Sequence, residues 1–189
     1  MLRRLTRERF MSDAELAAFM AVVRDRRHVH QPRDHALFAL LANTGIRPSE
    51  ARAMVRSDIH LGRRPWIQLH RPTVPRRPAP TNELDIHPDV AAVLSRYCKD
   101  LPESTKLWAF TKRQSERLFH YYRAKAGLPR CYRIFTLRHT FGMRLWRYTH
   151  DLRIIQAMLG HKWLGPAHAY IHTPPRSVQA ALSATMPGE

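Results

Sequence analysis

The spacing of apolar residues along the chain predicts a mainly helical fold. Ser12 and Glu15 match a capping box, which marks the start of a helix. Apolar side chains then recur at the i, i+3, i+4 and i+7 positions of one helix face: Leu16, Phe19, Met20 and Val23. Residues 35–42 are apolar on nearly all sides, which is typical of a helix in the middle of a core, and Gly45 ends that helix.

The same periodicity predicts five more helices. Pro48 suits the first turn of the third helix, which is expected to run to about Arg56. A fourth amphipathic helix follows Pro88, and a fifth covers residues 114–126. The sixth begins at Thr136. The seventh covers residues 151–159 and ends at Gly160.

Between residues 66 and 86 the helical period gives way to alternation. Segments 66–69 and 83–86 each alternate between apolar and polar side chains, which predicts the two strands of a small antiparallel hairpin. Four prolines between the strands exclude regular sheet there. The segment that carries Arg71, Arg76 and Arg77 is therefore expected to form either a stiff basic finger or a solvated tip.

Composition indicates one domain with a polyanionic partner. With 189 residues and 44% hydrophobic content, the chain is expected to be a single domain, with residues 1–10 as a basic leader and residues 175–189 as a tail. Lys and Arg outnumber Asp and Glu by 32 to 15, which leaves a net charge of +17. The sequence has neither a signal peptide nor a run of about 18 apolar residues, so we expect a soluble cytoplasmic protein without membrane contact.

Neither a metal nor another cofactor is expected. Cys98 and Cys131 are far apart in the sequence and form no C-x-x-C pair, which argues against a disulfide framework or a cysteine metal site. His168 and His172 lie four residues apart after His161, but no carboxylate lies close by to complete a metal site.

The last third of the chain carries the candidate chemistry, and a turn far upstream completes it. Arg138 is expected in the first turn of the sixth helix, His161 just past the end of the seventh, and Tyr170 nine residues later. Arg47 lies in the turn before the third helix, where Glu50 can complement the positive helix start.

These residue types suit attack on a phosphodiester, because negative charge grows on the non-bridging oxygens as the nucleophile arrives. A guanidinium is always charged, binds two oxygens at once, and forms hydrogen bonds roughly twice as strong as neutral ones. A phenol has an ordinary pKa of about 10, and a cationic pocket favours the phenolate that attack requires. A phosphotyrosine link conserves the broken bond, so strand transfer through it requires neither a nucleotide nor a metal.

The sequence resembles the catalytic domain of the tyrosine recombinases, or phage integrases, over nearly all of its length. The most specific motifs are Thr-Gly-Ile-Arg-Pro-Ser-Glu at 44–50, Leu-Arg-His-Thr at 137–140 and Leu-Gly-His at 159–161, followed by Tyr170 at the family's spacing. The resemblance implies a mainly α fold with a small antiparallel sheet, double-stranded DNA as partner, and a homo-oligomer assembled on DNA in the bacterial nucleoid. It also implies a small type without an N-terminal core-binding domain, similar to the fimbrial phase-variation recombinases.

The resemblance also implies a role for each motif residue. Arg47 and Arg138 would hold the scissile phosphate, and His161 would donate a hydrogen bond to it. Tyr170 would form a 3′-phosphotyrosine and release a 5′-hydroxyl, while Glu50 would support the Arg47 turn. Further DNA contacts are expected from the basic segment and from two residues beside the motifs: Arg71, Arg76, Arg77, His139 and Lys162.

Two positions depart from the family's pattern. Phe135 stands three residues before the second arginine, where the family usually has a histidine, and it neither donates nor accepts a proton. The family also places a lysine on the hairpin as general acid for the leaving 5′-oxygen, yet the first lysine here is Lys99. Arg71 is the nearest substitute but gives up a proton poorly, whereas the imidazole of His70 belongs to a residue type that commonly acts as a general acid. We retain both as candidates for the acid role and expect slow catalysis.

Three functions remain open from the sequence. The first is a site-specific recombinase or integrase, which the intact Tyr170 and the two motif arginines favour. The second is a DNA-bound regulator or truncated remnant of the same fold, which Phe135 and the missing lysine favour. The third is a type IB relaxing enzyme, which would relax any supercoiled plasmid without a specific site. We expect the first.

Overall fold

The computed structural model describes residues 10–25, 30–71 and 82–160. Helices dominate these ranges and accompany one small antiparallel sheet, so the predicted fold class is confirmed. The longest helices have 14 residues, and none in these ranges has the length and hydropathy needed to cross a membrane. The helices are α1 (Asp13–Val23), α2 (Gln31–Thr44), α3 (Pro48–Ala53), α4 (Pro88–Cys98), α5 (Lys112–Lys125), α6 (Thr136–Thr149) and α7 (Leu152–Leu159).

Helix α1 begins and packs as predicted. The Ser12 side chain accepts a hydrogen bond from the backbone N–H of Glu15, and the Glu15 carboxylate accepts one from the backbone N–H of Ser12 at 2.7 Å. This reciprocal cap pairs two N–H groups that a helix start otherwise leaves without partners. The predicted apolar face is buried: Leu16, Phe19, Met20 and Val23.

Helix α2 forms the centre of the core. Residues 36–42 are all at most 5% exposed, so this helix is buried on every side, as its sequence predicts. It packs against α1, α4 and α6. The Phe38 ring meets those of Phe19 at 5.2 Å and Tyr122 at 5.6 Å between centroids. The Tyr122 hydroxyl donates a hydrogen bond to the buried Asp34 carboxylate at 2.9 Å, which joins α5 to the start of α2.

The sheet contains the predicted hairpin and one strand more. Strand β2 (Trp66–Gln68) pairs antiparallel with β3 (Glu83–Asp85), with Ile67 opposite Leu84. The pairing continues to Leu69, whose N–H donates to the Asn82 carbonyl at 2.6 Å. A further strand, β1 (Ile59–His60), pairs with the other edge of β2. The sequence did not predict β1, because two residues are too few to show an alternating pattern.

The predicted end of the third helix is wrong. Helix α3 ends at Ala53 rather than near Arg56, because Met54 adopts an extended backbone and Val55 pairs with Lys106 in an isolated β-bridge. Residues Arg56–Asp58 then form a short 3₁₀ turn. Tertiary pairing with a distant segment therefore decides this boundary, and the local sequence does not.

Helices α6 and α7 pack against each other and bring two candidate segments together. Met143 of α6 forms a small buried cluster with Ile155 and Leu159 of α7. The Asp151 side chain caps α7 by accepting a hydrogen bond from the backbone N–H of Arg153 at 2.7 Å. Gly160 ends α7 in a left-handed conformation, with φ of +59°. The start of α6 and the end of α7 consequently face the same region as the turn after α2.

Candidate active site

The turn between α2 and α3 lies directly against α6 and α7. Gly45 ends α2 with φ of +64°, a conformation that glycine adopts without strain. A Cβ atom at this position would overlap the Phe141 ring and lie 2.7 Å from Leu159 Cδ2. Glycine is thus required both for the backbone turn and for the close approach of the helices that carry the site.

Arg138 connects the two halves of the site. Its side chain is buried, with the residue only 3% exposed. Nη1 donates a hydrogen bond to the Gly45 carbonyl at 2.7 Å, and Nη2 donates one to the Leu159 carbonyl at 2.6 Å. Both acceptors are carbonyls at helix ends, where the backbone has no further helical N–H to bind. The guanidinium of α6 therefore fixes the end of α2 and the end of α7 at once.

Arg47 and Arg71 share a single buried carboxylate, that of Glu50. Arg47 Nη1 lies 2.8 Å from Glu50 Oε1, and the Arg47 backbone N–H donates to Oε2 at 2.6 Å. Arg71 Nε donates to the same Oε1 at 3.1 Å. Glu50 and Arg71 have side chains that are 8% and 4% exposed, whereas that of Arg47 is 39% exposed. Arg47 also reaches the end of α7, where Nη2 donates to the Gly160 carbonyl at 3.4 Å.

The surroundings of Glu50 keep it ionised. Burial on its own raises the pKa of this carboxyl, but the backbone hydrogen bond from Arg47 and the charges of Arg71 and Arg47 outweigh it and hold the pKa below its ordinary value. Three guanidiniums and one carboxylate leave an excess of positive charge beside the end of α7. Such a site favours a bound anion.

We expect Glu50→Gln to lower the free energy of unfolding by about 2 kcal/mol at pH 7, because two charge-assisted contacts are weakened. The carboxylate stabilises the fold above its ordinary pKa of about 4.3, and that stabilisation is lost as the pH falls through the lower folded-state value. The gap between parent and variant should therefore be smaller at pH 3 than at pH 7. Urea denaturation at both pH values measures it. The exposed Glu103→Gln is the control, and an equal gap at both pH values for Glu50→Gln would contradict the prediction.

His70 and Arg71 point to opposite sides of the chain. Ile67, Leu69 and Arg71 are buried while His70 between them is exposed, which is the alternation of an extended segment. His70 Nε2 lies 2.8 Å from Asp58 Oδ1, and the Asp58 carboxylate also accepts a hydrogen bond from a backbone N–H at 2.8 Å. Of the two candidate acids, the structure thus brings Arg71 to Glu50 and Arg47, and His70 to Asp58.

The start of α6 shows where the unusual phenylalanine lies. Phe135 is 40% exposed, and its ring centroid is 5.8 Å from the Arg138 guanidinium carbon. Its ring also meets the edge of the half-buried His139 at 5.1 Å. A side chain without a proton to give or take therefore stands beside the buried arginine.

The remaining candidate residues lie outside the described part of the chain: Arg76, Arg77, His161, Lys162 and Tyr170. The sequence did not reveal four groups that hold the candidate side chains. The carbonyls of Gly45 and Leu159 accept hydrogen bonds from Arg138, that of Gly160 accepts one from Arg47, and Asp58 holds His70. Backbone acceptors leave no sequence signal, and Asp58 stands twelve residues before its partner.

Comparison with known proteins gives a consistent picture. The model of the phage integrase family matches residues 9–176. The chain is 27% identical over 168 residues to the tyrosine recombinase XerD of Lacticaseibacillus casei, covering 82% of this chain and 55% of that protein. It is 30% identical over 148 residues to the tyrosine recombinase XerC of Rhodospirillum centenum, covering 73% of this chain and 42% of that protein. The chain spans about half the length of these curated relatives.

Solved structures share the fold. The XerH site-specific recombinase, in a pre-cleavage complex with its difH substrate, matches 97% of this chain and 55% of its own, with a TM-score of 0.76 and 20% identity. The catalytic domain of bacteriophage HP1 integrase matches 93% of this chain and 94% of its own, with a TM-score of 0.60 and 16% identity. At identities this low, the matches show a shared fold and do not assign roles to individual residues.

Proposed function

The chain belongs to the phage integrase family, and from that premise we propose that it cleaves and rejoins DNA at a specific site through a covalent intermediate on Tyr170. In this proposal the phenolate of Tyr170 attacks the scissile phosphorus, a 3′-phosphotyrosine bond forms, the bond to the 5′-oxygen breaks, and that oxygen takes up a proton from water to become a hydroxyl. A 5′-hydroxyl later reverses the step and reseals the strand. Copies of the chain assemble on double-stranded DNA in the nucleoid so that two strands are exchanged.

One observation carries the proposal: Arg47, Arg71 and Arg138 converge on the end of α7, at Leu159 and Gly160. Arg138 and Arg47 donate hydrogen bonds to the carbonyls of Leu159 and Gly160, and Glu50 binds Arg47 and Arg71 together. The residue that follows Gly160 in the sequence is His161, and we propose that it contributes to the same site. Arginines up to 91 positions apart in the sequence thus form one cationic site.

The charge of this site suits phosphoryl transfer. A phosphodiester carries one negative charge and gains more on its non-bridging oxygens as the phenolate attacks. The three guanidiniums exceed the charge of Glu50 by two. Positive groups that are already held in place stabilise this growing charge without reorganisation, which is commonly the largest contribution to catalysis.

The position of Arg71 supports its role beside the leaving oxygen. It stands on the hairpin side of the site and touches the carboxylate that also holds Arg47. A guanidinium steadies a developing alkoxide through its charge but does not release a proton near neutral pH. We therefore infer electrostatic assistance by Arg71 and slow departure of the 5′-oxygen.

A DNA-bound regulator of the same fold is the second candidate. Phe135 lies beside Arg138 where the family usually has a proton-transferring histidine, and Arg71 occupies the side of the site where it has a lysine. A protein with these two changes retains a cationic surface for DNA even if strand cleavage is lost. The two candidates therefore differ in covalent chemistry and agree in DNA binding.

The first experiment is detection of a covalent protein–DNA adduct on a denaturing gel, with nicked substrates taken from the DNA that flanks the gene. The parent chain should form the adduct and Tyr170→Phe should form none, because the phenylalanine lacks the attacking oxygen. Tyr148→Phe is the matched control, since Tyr148 is 90% exposed on α6 and should leave adduct formation unchanged.

The outcomes separate the candidates. An adduct that persists in Tyr170→Phe would assign the nucleophile to another residue. A shift of the same DNA on a native gel without any adduct would favour the regulator.

A further inference from the structure

Gly160 leaves a space that the Arg71 guanidinium fills. A Cβ atom built on Gly160 would lie 2.6 Å from Arg71 Nη1 and 2.7 Å from Cζ. Carbon atoms in favourable contact are about 3.5–4.0 Å apart, so a methyl group and the guanidinium cannot occupy this space together. The backbone of α7 and the side chain from the hairpin thus depend on each other directly.

Arg71 cannot give way without losing its other contact. Its side chain is 4% exposed, and Nε is bound to Glu50 Oε1 at 3.1 Å. The flexible end of an arginine moves at little steric cost in the open, but here movement separates it from a buried carboxylate. Glu50 also binds Arg47, so the displacement spreads to the second guanidinium of the site.

We propose that Gly160 is a positioning residue for Arg71: its missing side chain allows the guanidinium to lie between Glu50 and the end of α7, facing the scissile phosphate. The expected effect of Gly160 on catalysis rests on the proposed strand cleavage. Its expected effect on the position of Arg71 does not. The branched guanidinium needs the space that a side chain at residue 160 would take.

The structural part is tested by a double-mutant cycle on the full chain. Gly160→Ala should lower the ratio of folded to unfolded protein about tenfold more in the parent than in an Arg71→Ala background, the size of a coupling between contacting residues. Gly127→Ala measures the cost of a left-handed alanine alone, because Gly127 has φ of +65° and its Cβ would meet nothing within 4 Å. Gly160→Asn is a second test of the same coupling, because asparagine also places a Cβ atom beside Arg71 but tolerates the left-handed backbone better than alanine.

The catalytic part is tested by the rate of adduct formation at saturating DNA. Gly160→Ala should slow the parent about a hundredfold through misplacement of Arg71, and should add no further loss to Arg71→Ala. Equal losses in both backgrounds, in stability or in rate, would overturn the positioning role. If the parent forms no adduct at all, the proposed cleavage fails, and the unfolding cycle still decides whether Gly160 positions Arg71.

Discussion

Arg138→Ala should abolish the covalent adduct and lower the free energy of unfolding by about 3 kcal/mol or more. The substitution removes two charge-assisted hydrogen bonds, each worth about 1.5–3 kcal/mol, and leaves the buried carbonyls of Gly45 and Leu159 without this donor. Because these carbonyls belong to the ends of α2 and α7, both halves of the site lose their connection. Urea denaturation and the adduct gel measure the two effects separately.

Arg144→Ala provides the matched control for this prediction. Arg144 lies on the same helix, its side chain is 44% exposed, and its Nε lies 3.9 Å from a carboxylate oxygen of Asp13. An exposed ion pair of this kind contributes about 0–1 kcal/mol. A loss of stability for Arg138→Ala no larger than that for Arg144→Ala would contradict the structural role of the buried guanidinium.

Replacing the leaving 5′-oxygen with sulfur should speed cleavage by the parent about a hundredfold or more. A thiolate leaves without accepting a proton, whereas an alkoxide needs one, and a well-placed general acid typically contributes 10²–10⁴-fold in rate. If Arg71 assists by charge alone, the oxygen substrate lacks this contribution and the sulfur substrate does not need it. The measurement compares the rates of adduct formation on two DNA substrates that differ in this atom.

Two variants decide which residue assists the leaving group. Arg71→Lys should narrow the gap between the substrates, since an ammonium group releases a proton more readily than a guanidinium. His70→Ala should change neither rate, because His70 is bound to Asp58 on the other side of the chain. If His70→Ala instead slows only the oxygen substrate, His70 is the acid and the assignment to Arg71 is wrong.

Sequence reasoning succeeded where local chemistry decides the structure. The capping pair of Ser12 and Glu15, the apolar α2 and the glycine that ends it were all predicted and confirmed. It failed where distant contacts decide, as at the end of α3, where Val55 pairs with Lys106. The periodicity of a single segment cannot predict pairing with a segment that is distant in the sequence.

In the candidate site, too, the sequence predicts what depends on local motifs and misses what depends on distant contacts. The motifs identify Arg47 and Arg138, but they do not reveal that Glu50 binds Arg71 as well as Arg47. Choosing between His70 and Arg71 was possible in principle, because the alternation that buries Ile67 extends along the chain to Arg71. The roles of His161 and Tyr170 remain predictions.

The hydrogen bonds of Arg138 to two helix ends bear on how inactive descendants would evolve. A residue that holds the fold together is retained by selection for folding alone, even in a lineage that has stopped recombining DNA. Arg138 and Glu50 would then persist in active and inactive descendants alike, since both support the structure. The hydroxyl of Tyr170 has no structural role in this proposal. Once cleavage was no longer under selection, substitutions that remove this hydroxyl would therefore accumulate before substitutions of Arg138 or Glu50.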